Sequence, residues 1–401
     1  MSRLRVLVVD DSALARALLR RMLEADGDID VVAESADGET ALGLVASLRP
    51  DLVTMDLLLP GMSGLEVIEQ IMAFHPTPIL VVTGQHVGPG SEAVFHAIQR
   101  GALDVVQKPM LADAGLEVTL REHVRHLGRV PVVRHVAGAR ARRGLTPPLG
   151  QDVGVPRSGT LTPPALRAAT PPLGTLSASL ARAVTPPVGA VIPPPSGALP
   201  GRTRRRVIGM AASAGGPAAV ARILGGLSPE FPGCIALVQH LPPGFVDAFA
   251  QFVRHSTRLV VRVVRDEAEP QPGTVLVAAD DRHLVASPEG RFRASAEPAV
   301  GGQRPAATLL FRSLAQVFGP AAVGVVLSGI GDDGAAGLAE LRQSGGLTIA
   351  QDQRTAAVYG MPRAAAEVGA AVKVLGVDEI AAELVRALAT PVPTGDGERV
   401  P

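Results

Sequence analysis

Residues 4–11 read LRVLVVDD and residues 52–56 read LVTMD, so in both places an aliphatic run ends directly in a carboxylate. The same part of the chain holds two further apolar runs and, between the runs, helix-like patterns: Ile79–Val82, Leu103–Val106, Ala13–Glu24 and Gly64–Phe74. Apolar strands that alternate with amphipathic helices are typical of a parallel sheet covered on both faces. The first 126 residues are therefore predicted to form an α/β domain.

Polar side chains follow the apolar runs of this first domain. Asp10 and Asp11 follow the first run, Asp56 the second, Thr83 the third, and Lys108 comes shortly after the fourth. Because ligands of parallel α/β sheets bind beyond the carboxyl ends of the strands, these five side chains are expected to lie together. Helix capping explains one aspartate but not all five positions. Three crowded carboxylates favour a hard cation such as Mg²⁺, and one of them can attack a phosphoryl group.

The second half of the chain repeats the alternation on a larger scale. Its predicted strands are Val207–Ala212, Cys234–Gln239, Val260–Val264, Val275–Ala278, Ala322–Leu327 and Leu347–Ala350. Its predicted helices are Pro217–Leu227, Phe245–His255, Ala306–Phe318, Ala335–Gln343 and Asp378–Leu388. We expect a second, doubly wound α/β domain with a mostly parallel sheet, in which Val261–Ser287 forms an antiparallel excursion.

A nucleophile, a base and an acid follow three strands of this second domain. Ser213 lies in GMAASAGGP, His240 ends LVQH before two prolines, and Asp333 lies in the glycine-rich turn GDDG with Asp332. Alone, each has an ordinary explanation: an N-cap serine, a capping or core-rim histidine, an N-cap or cation-binding aspartate. Together they predict a nucleophile–base–orienter set. The order Ser, His, Asp, with Ala211 where the nucleophile elbow has glycine, disfavours a standard α/β-hydrolase.

The segment between the two domains has a different composition. Residues 127–200 hold 14 of the 35 prolines and no aromatic residue, and Thr-Pro-Pro recurs four times, at Thr146, Thr162, Thr170 and Thr185. The segment carries 8 basic and 1 acidic residues, against 10 and 18 in residues 1–126. The formal net charge of zero thus conceals an acidic head and a basic middle. Proline at this density predicts a disordered linker, and the rival interpretation is a docking segment for a proline-recognising partner.

Composition excludes several classes of protein. One cysteine, Cys234, rules out a disulfide framework or a cysteine-rich zinc site. Aromatic residues make up 2% of the chain and the second domain is near neutral, so neither base stacking nor a basic nucleic-acid surface is expected. No apolar run is long enough to span a bilayer, and the N-terminus lacks a signal-peptide pattern. We expect a cytoplasmic protein without membrane insertion or nucleic-acid binding.

The strand-end residues of the first domain resemble those of bacterial response-regulator receiver domains, over roughly residues 3–126. The resemblance implies a flavodoxin-like fold with a five-stranded parallel sheet. It also implies that Asp56 accepts a phosphoryl group from a CheA-type histidine kinase. Asp10 and Asp11 would hold Mg²⁺ together with Asp56, while Thr83 and Lys108 would sense the phosphoryl group.

One position departs from the receiver pattern. Receivers usually carry an aromatic switch residue three positions before the lysine of a Lys-Pro pair. In this chain that lysine is Lys108, and Val105 occupies the switch position. Phosphorylation is expected to persist, whereas the usual aromatic switch is absent.

The second domain resembles the catalytic domain of the CheB family of chemotaxis protein-glutamate methylesterases, over roughly residues 204–388. Stretches that carry the resemblance, besides those around the three strand ends, are Asp281–Leu284, Gly302–Pro305, Leu310–Ser313, Gln351–Asp352 and Tyr359–Pro362. By resemblance, Ser213 is the nucleophile, His240 the base and Asp333 its orienter, with Asp332 as a competitor for that last role.

The oxyanion hole is the least defined part of the resemblance. It implies backbone N–H groups of Ala214 and Ile330. The family often has threonine and methionine at these two positions, so hydroxyl assistance at residue 214 is absent while a backbone donor at residue 330 is kept.

The family resemblance implies a domain order and an activity. The predicted order is receiver 1–126, linker 127–200, methylesterase 201–390 and disordered tail 391–401. The expected activity is removal of methyl esters from chemoreceptor glutamates, with deamidation of receptor glutamines, and no cofactor for ester hydrolysis. In the family the unphosphorylated receiver covers the catalytic face; the long linker here is expected to make that inhibition leakier. The alternative is a non-catalytic phosphorylation-dependent adaptor of a chemosensory array.

Overall fold

The computed structural model describes residues 3–84, 92–108, 114–130 and 206–391. Most of the predicted linker and nearly all of the predicted C-terminal tail lie outside the described residues. The described residues form two α/β domains that contact each other.

The first domain is a five-stranded sheet flanked by helices. Its strands are β1 (Leu4–Val9), β2 (Ile29–Ser35), β3 (Leu52–Met55), β4 (Ile79–Thr83) and β5 (Asp104–Gln107). Its described helices are α1 (Ala13–Glu24), α2 (Gly38–Leu48), α3 (Gly64–Phe74), α4 (Glu92–Gln99) and α5 (Ala114–Leu127). The strand order is β2-β1-β3-β4-β5 and every pairing is parallel, which confirms the predicted sheet and its flavodoxin-like order.

Local capping places α1 immediately after the acidic pair. The Ser12 side chain accepts a hydrogen bond from the Ala15 N–H, and the Ser12 N–H donates to Asp10 Oδ1 at 3.0 Å. Only the N-cap Ser12 separates Asp11 from the helix, and both carboxylates stay at the carboxyl edge of the sheet.

The second domain is built on a seven-stranded sheet. Its strands are β6 (Val207–Ala212), β7 (Cys234–Gln239), β8 (Val260–Val264), β10 (Thr274–Ala278), β13 (Ala322–Val326), β14 (Leu347–Gln351) and β15 (Lys373–Leu375). Its described helices are α6 (Gly216–Gly225), α7 (Val246–Ser256), α8 (Ala307–Val317), α9 (Ala335–Gln343), α10 (Met361–Glu367) and α11 (Val377–Ala389). The order is β15-β14-β13-β6-β7-β10-β8 and all pairings are parallel.

The predicted antiparallel excursion was wrong in its extent. The strands β8 and β10 pair in parallel within the main sheet. The antiparallel part is a separate three-stranded sheet, formed by β9 (Glu267–Ala268), β11 (His283–Ala286) and β12 (Phe292–Ser295). Short apolar runs look alike in parallel and antiparallel strands, so periodicity did not separate the two sheets.

The two domains meet along α4. Phe95 of α4 is buried, and its ring stacks on Phe252 of α7 with the centroids 5.4 Å apart. Nearby, the Gly215 N–H of the second domain donates a 2.9 Å hydrogen bond to the Leu103 carbonyl just before β5. The receiver-like domain thus lies directly against the loop that follows Ser213.

Candidate functional site

Three neighbouring strands bring Ser213, His240 and Asp333 to one edge of the seven-stranded sheet. Strand β6 lies between β7 and β13, and Ser213 and His240 directly follow β6 and β7. Asp333 lies in the loop that leaves β13. Because the strands are parallel, these three loops emerge on the same side.

The turn after β6 is held by backbone bonds on both sides of Ser213. The Ser213 N–H donates to the Ser328 carbonyl at 2.9 Å, and the Gly216 N–H donates to the Ser213 carbonyl at 2.8 Å. Gly215 has a φ of +69°, which favours glycine, and an added Cβ there would lie 2.5 Å from Ala357 Cβ. Glycine at position 215 therefore has both a conformational and a steric reason.

His240 pairs with Asp333 and not with Asp332. Its Nε2 lies 2.9 Å from Asp333 Oδ2, and both side chains are largely buried, with 9% and 10% exposed. Asp332 is exposed, and among the described residues it forms no hydrogen bond with His240. With Nε2 bound to the carboxylate, Nδ1 is the ring nitrogen left for a proton from Ser213. No hydrogen bond joins Ser213 Oγ to His240 within the described residues, and such contacts often tighten only when substrate binds.

Asp333 is fixed by the start of helix α8. The Ala307 N–H donates to Oδ2 at 2.7 Å, while the Thr308 N–H and hydroxyl donate to Oδ1 at 3.0 and 2.8 Å. Burial alone would raise the pKa of Asp333, but the His240 hydrogen bond and charge and these N–H donors outweigh it, so that its pKa is lowered. The carboxylate is therefore held ionised against His240.

The two backbone groups predicted for the oxyanion hole lie on loops beside Ser213. Ala214 is its neighbour in the chain, and Ile330 follows Gly329, where an added Cβ would lie 2.9 Å from Ser213 Cβ. Among the described residues, neither the Ala214 nor the Ile330 N–H donates to a protein acceptor. Two N–H groups beside Ser213 are thus left without a protein acceptor among the described residues, as predicted oxyanion donors need to be.

Buried polar side chains that the sequence analysis did not single out support these loops. Gln239 Nε2 donates to the Ser213 carbonyl at 2.8 Å. The Ser328 hydroxyl donates to the Ala214 carbonyl at 2.7 Å and accepts from the Val358 N–H. Gln239 could have been found from its place directly before His240, whereas Thr308 gives no signal because its partner lies 25 residues away.

The first domain gathers its three aspartates at the carboxyl edge of its own sheet. Oxygens of Asp10, Asp11 and Asp56 lie within 4.8 Å of one another, and Asp10 and Asp56 are buried. Lys108 Nζ lies 2.6 Å from Asp10 Oδ2 and 2.8 Å from Asp56 Oδ2. One ammonium facing three carboxylates leaves negative charge uncompensated, so the donor set fits a hard divalent cation.

Burial and charge act in opposite directions on this cluster. Burial raises the pKa of Asp10, and the contact with Lys108 only partly offsets that effect. Burial would lower the pKa of Lys108, but its bonds to Asp10 and Asp56 outweigh burial and raise it. Thr83 is the last residue of β4, and its carbonyl accepts a hydrogen bond from the Lys108 N–H, so the two residues lie side by side at adjacent strand ends.

Comparison with known proteins identifies the family. Residues 208–384 match the family model of the CheB methylesterase, and residues 6–119 match that of the response regulator receiver domain. Protein-glutamate methylesterase/protein-glutamine glutaminase 2 of Anaeromyxobacter dehalogenans is 40% identical over 379 residues, which cover 94% of this chain and 95% of that relative. The chain belongs to the CheB methylesterase family.

A second relative also covers nearly the whole chain. The protein of the same name from Pseudomonas aeruginosa is 35% identical over 398 residues, covering 98% of this chain and 99% of that relative. The crystal structure of the Thermotoga maritima CheB methylesterase catalytic domain is 31% identical and covers 45% of this chain and 98% of that chain, with a TM-score of 0.44. Among the described residues, no helix combines the length and the apolar character needed to cross a membrane.

Proposed function

We propose that this protein is a phosphorylation-controlled serine hydrolase that removes methyl esters from glutamate side chains of chemoreceptors. The observation that carries the proposal is the buried pair of His240 and Asp333 at 2.9 Å, on the strand ends that flank Ser213. The names of the CheB relatives support the substrate class.

In the proposed reaction, Ser213 Oγ attacks the ester carbonyl while Nδ1 of His240 accepts its proton. The Ala214 and Ile330 N–H groups stabilise the oxyanion, and Asp333 stabilises the imidazolium that forms. The imidazolium then protonates the leaving methoxide, so methanol departs and the glutamyl group stays on Ser213. Water, activated by His240, hydrolyses this acyl-enzyme and restores the free serine. The same attack on a glutamine side chain would release ammonia, which gives the glutaminase activity.

The receiver domain supplies the control. Asp56 would accept the phosphoryl group from a CheA-type histidine kinase, and Asp10, Asp11 and Asp56 would hold Mg²⁺, whose charge stabilises the phosphoryl oxygens when bound. Lys108 and Thr83 would bind the phosphoryl group. In the described arrangement Leu103 and Phe95 of the receiver contact the catalytic domain, so phosphorylation must move these contacts to open the site.

The proposal is tested with methylated receptor membranes, with and without a small-molecule phosphodonor. We expect methanol release to require Ser213, so that Ser213→Ala abolishes it while phosphorylation of Asp56 is kept. The matched control is Ser228→Ala, which removes an exposed serine hydroxyl of the same domain beyond helix α6 and is expected to keep methanol release. Full methanol release by Ser213→Ala would instead indicate the non-catalytic adaptor.

A further inference from the structure

The contact between α4 and α7 has an unusual concentration of aromatic side chains. The chain has nine phenylalanines, and three of them meet here. The ring of Phe95 lies 5.7 Å from that of Phe249 and 5.4 Å from that of Phe252. Ile98, three residues after Phe95, packs into the same hydrophobic cluster. Helix α4 therefore inserts two large apolar side chains with helical i, i+3 spacing into the catalytic domain.

We call the receiving surface the aromatic face of α7, formed by Ala248, Phe249 and Phe252. Helix α7 begins six residues after His240, so one short loop joins the catalytic base to the helix that carries this face. Leu241 and Phe245 of the intervening loop pack against the hydrophobic core of the receiver. A protein substrate seated at His240 would therefore extend over the aromatic face once the receiver moves away.

The contact is built like a reversible protein–protein interface. The rings form an apolar centre, and beside them a small crevice is lined by polar side chains from both helices: His96 and Gln99 of α4, Gln251 and His255 of α7. An apolar centre with a polar rim is characteristic of surfaces that dock and release. When the receiver leaves, Phe252 would face water, which favours another apolar occupant.

We propose that the aromatic face of α7 is a docking groove for an amphipathic helix of the methylated protein substrate, and that α4 occupies this groove in place of that helix. The occupant would present large apolar side chains at positions i and i+3, as α4 does with Phe95 and Ile98. This inference rests on the proposed methylesterase function. The receiver then inhibits by competing for the substrate-binding surface as well as by covering Ser213.

Truncating the two sides of this contact is expected to affect activity in different ways. Phe95 belongs only to the inhibiting receiver domain. Phe95→Ala is therefore expected to raise the rate of methanol release without phosphodonor. In the phosphorylated protein it leaves KM for the receptor unchanged. Phe252 belongs to the docking groove, so Phe252→Ala also weakens binding of the receptor helix. The pair is matched because each variant deletes one ring of the same stacked contact.

The experiment measures methanol release by the phosphorylated full-length protein from methylated receptor membranes and from a short glutamate γ-methyl ester peptide. We expect Phe252→Ala to lower kcat/KM for the receptor relative to the peptide by about tenfold, through KM, whereas Phe95→Ala keeps the wild-type ratio. Gln251→Arg places a bulky charge on the half-buried rim and is expected to lower the ratio of receptor to peptide kcat/KM as well. This variant replaces Phe252→Ala if the latter does not fold.

An unchanged receptor-to-peptide ratio in folded Phe252→Ala, or in Gln251→Arg if that variant replaces it, overturns the docking groove and leaves the methylesterase proposal intact. If the wild-type protein releases methanol from neither substrate, the proposed function itself fails. The two failures are therefore distinguishable.

Discussion

Replacing Asp333 with asparagine tests the geometry around His240 most sharply. The carboxylate accepts four hydrogen bonds, two on each oxygen: from His240 and Ala307 on Oδ2, and from the N–H and hydroxyl of Thr308 on Oδ1. An amide has one acceptor oxygen, so an asparagine turns its NH2 group toward donors on one side. It also removes the negative charge that stabilises the imidazolium.

The expected loss follows from these contacts. A hydrogen bond to a charged group contributes about 1.5–3 kcal/mol, and the equivalent Asp-to-Asn change in a Ser-His-Asp triad lowers kcat about 10⁴-fold. We therefore expect Asp333→Asn to lower kcat by about 10³- to 10⁴-fold, or about 4–5.5 kcal/mol of transition-state stabilisation. The assay is the initial rate of methanol release from methylated receptor membranes with phosphodonor present.

The matched control is Asp332→Asn, the adjacent residue with an exposed side chain. It is expected to keep at least half of the wild-type rate. The reasoning is refuted if folded Asp333→Asn keeps more than a tenth of the wild-type rate, or if Asp332→Asn loses as much. Far-UV circular dichroism and thermal melting establish that each variant is folded.

Three further predictions concern the surroundings of the catalytic groups. Thr308→Val removes the hydroxyl hydrogen bond to Asp333 and is expected to lower kcat about 10- to 100-fold. Thr308→Ser keeps the hydroxyl, and its kcat is expected to stay within about threefold of the wild-type value. Equal losses in both variants would show that the hydroxyl does not position Asp333. Gly215→Ala forces a side chain onto a φ of +69° and against Ala357. It is expected to lower the free energy of unfolding by about 1–2 kcal/mol, measured by urea titration. An unchanged urea midpoint would contradict the close approach of Gly215 to Ala357. The predicted flexible linker would dilute the receiver around the catalytic domain. A fragment of residues 201–401 is therefore expected to release methanol no more than about tenfold faster than the unphosphorylated full chain, and a very large gain would contradict leaky inhibition.

The pKa of Asp333 predicts how acid affects stability. Because folding lowers this pKa, the carboxylate stabilises the fold above the pKa of an unfolded aspartate, and that contribution is lost as pH falls through the lower folded value. The difference in Tm between wild type and Asp333→Asn should therefore be largest near neutral pH and shrink below about pH 4. A constant difference down to strongly acidic pH would contradict the lowered pKa.

The sequence located the candidate site residues that directly follow buried parallel strands. The apolar runs before Asp10, Asp56, Ser213 and His240 are continuous because parallel strands are buried on both faces, so their ends could be located within a residue or two. Strand β2 escaped notice since it lies at the sheet edge and includes the charged Asp30 and Glu34 among its apolar residues.

The contacts that the sequence did not predict depend on packing between elements distant in the chain. The bond from Thr308 to Asp333 and the stacking of Phe95 on Phe252 join residues that are far apart in the chain. Val105 marked the missing aromatic on β5, but nothing in the local pattern indicated that the aromatic contact between the domains would come from α4. Such contacts are set by how whole elements pack, which periodicity does not encode.

The central claim is that one chain couples a phosphoryl group on Asp56 to hydrolysis at Ser213. The most direct measurement is the ratio of initial methanol-release rates with and without phosphodonor, in wild type and in Asp56→Asn. The account predicts a ratio clearly above one for wild type and a ratio of one for Asp56→Asn. A wild-type ratio of one, with phosphorylation of Asp56 demonstrated in the same sample, would contradict it.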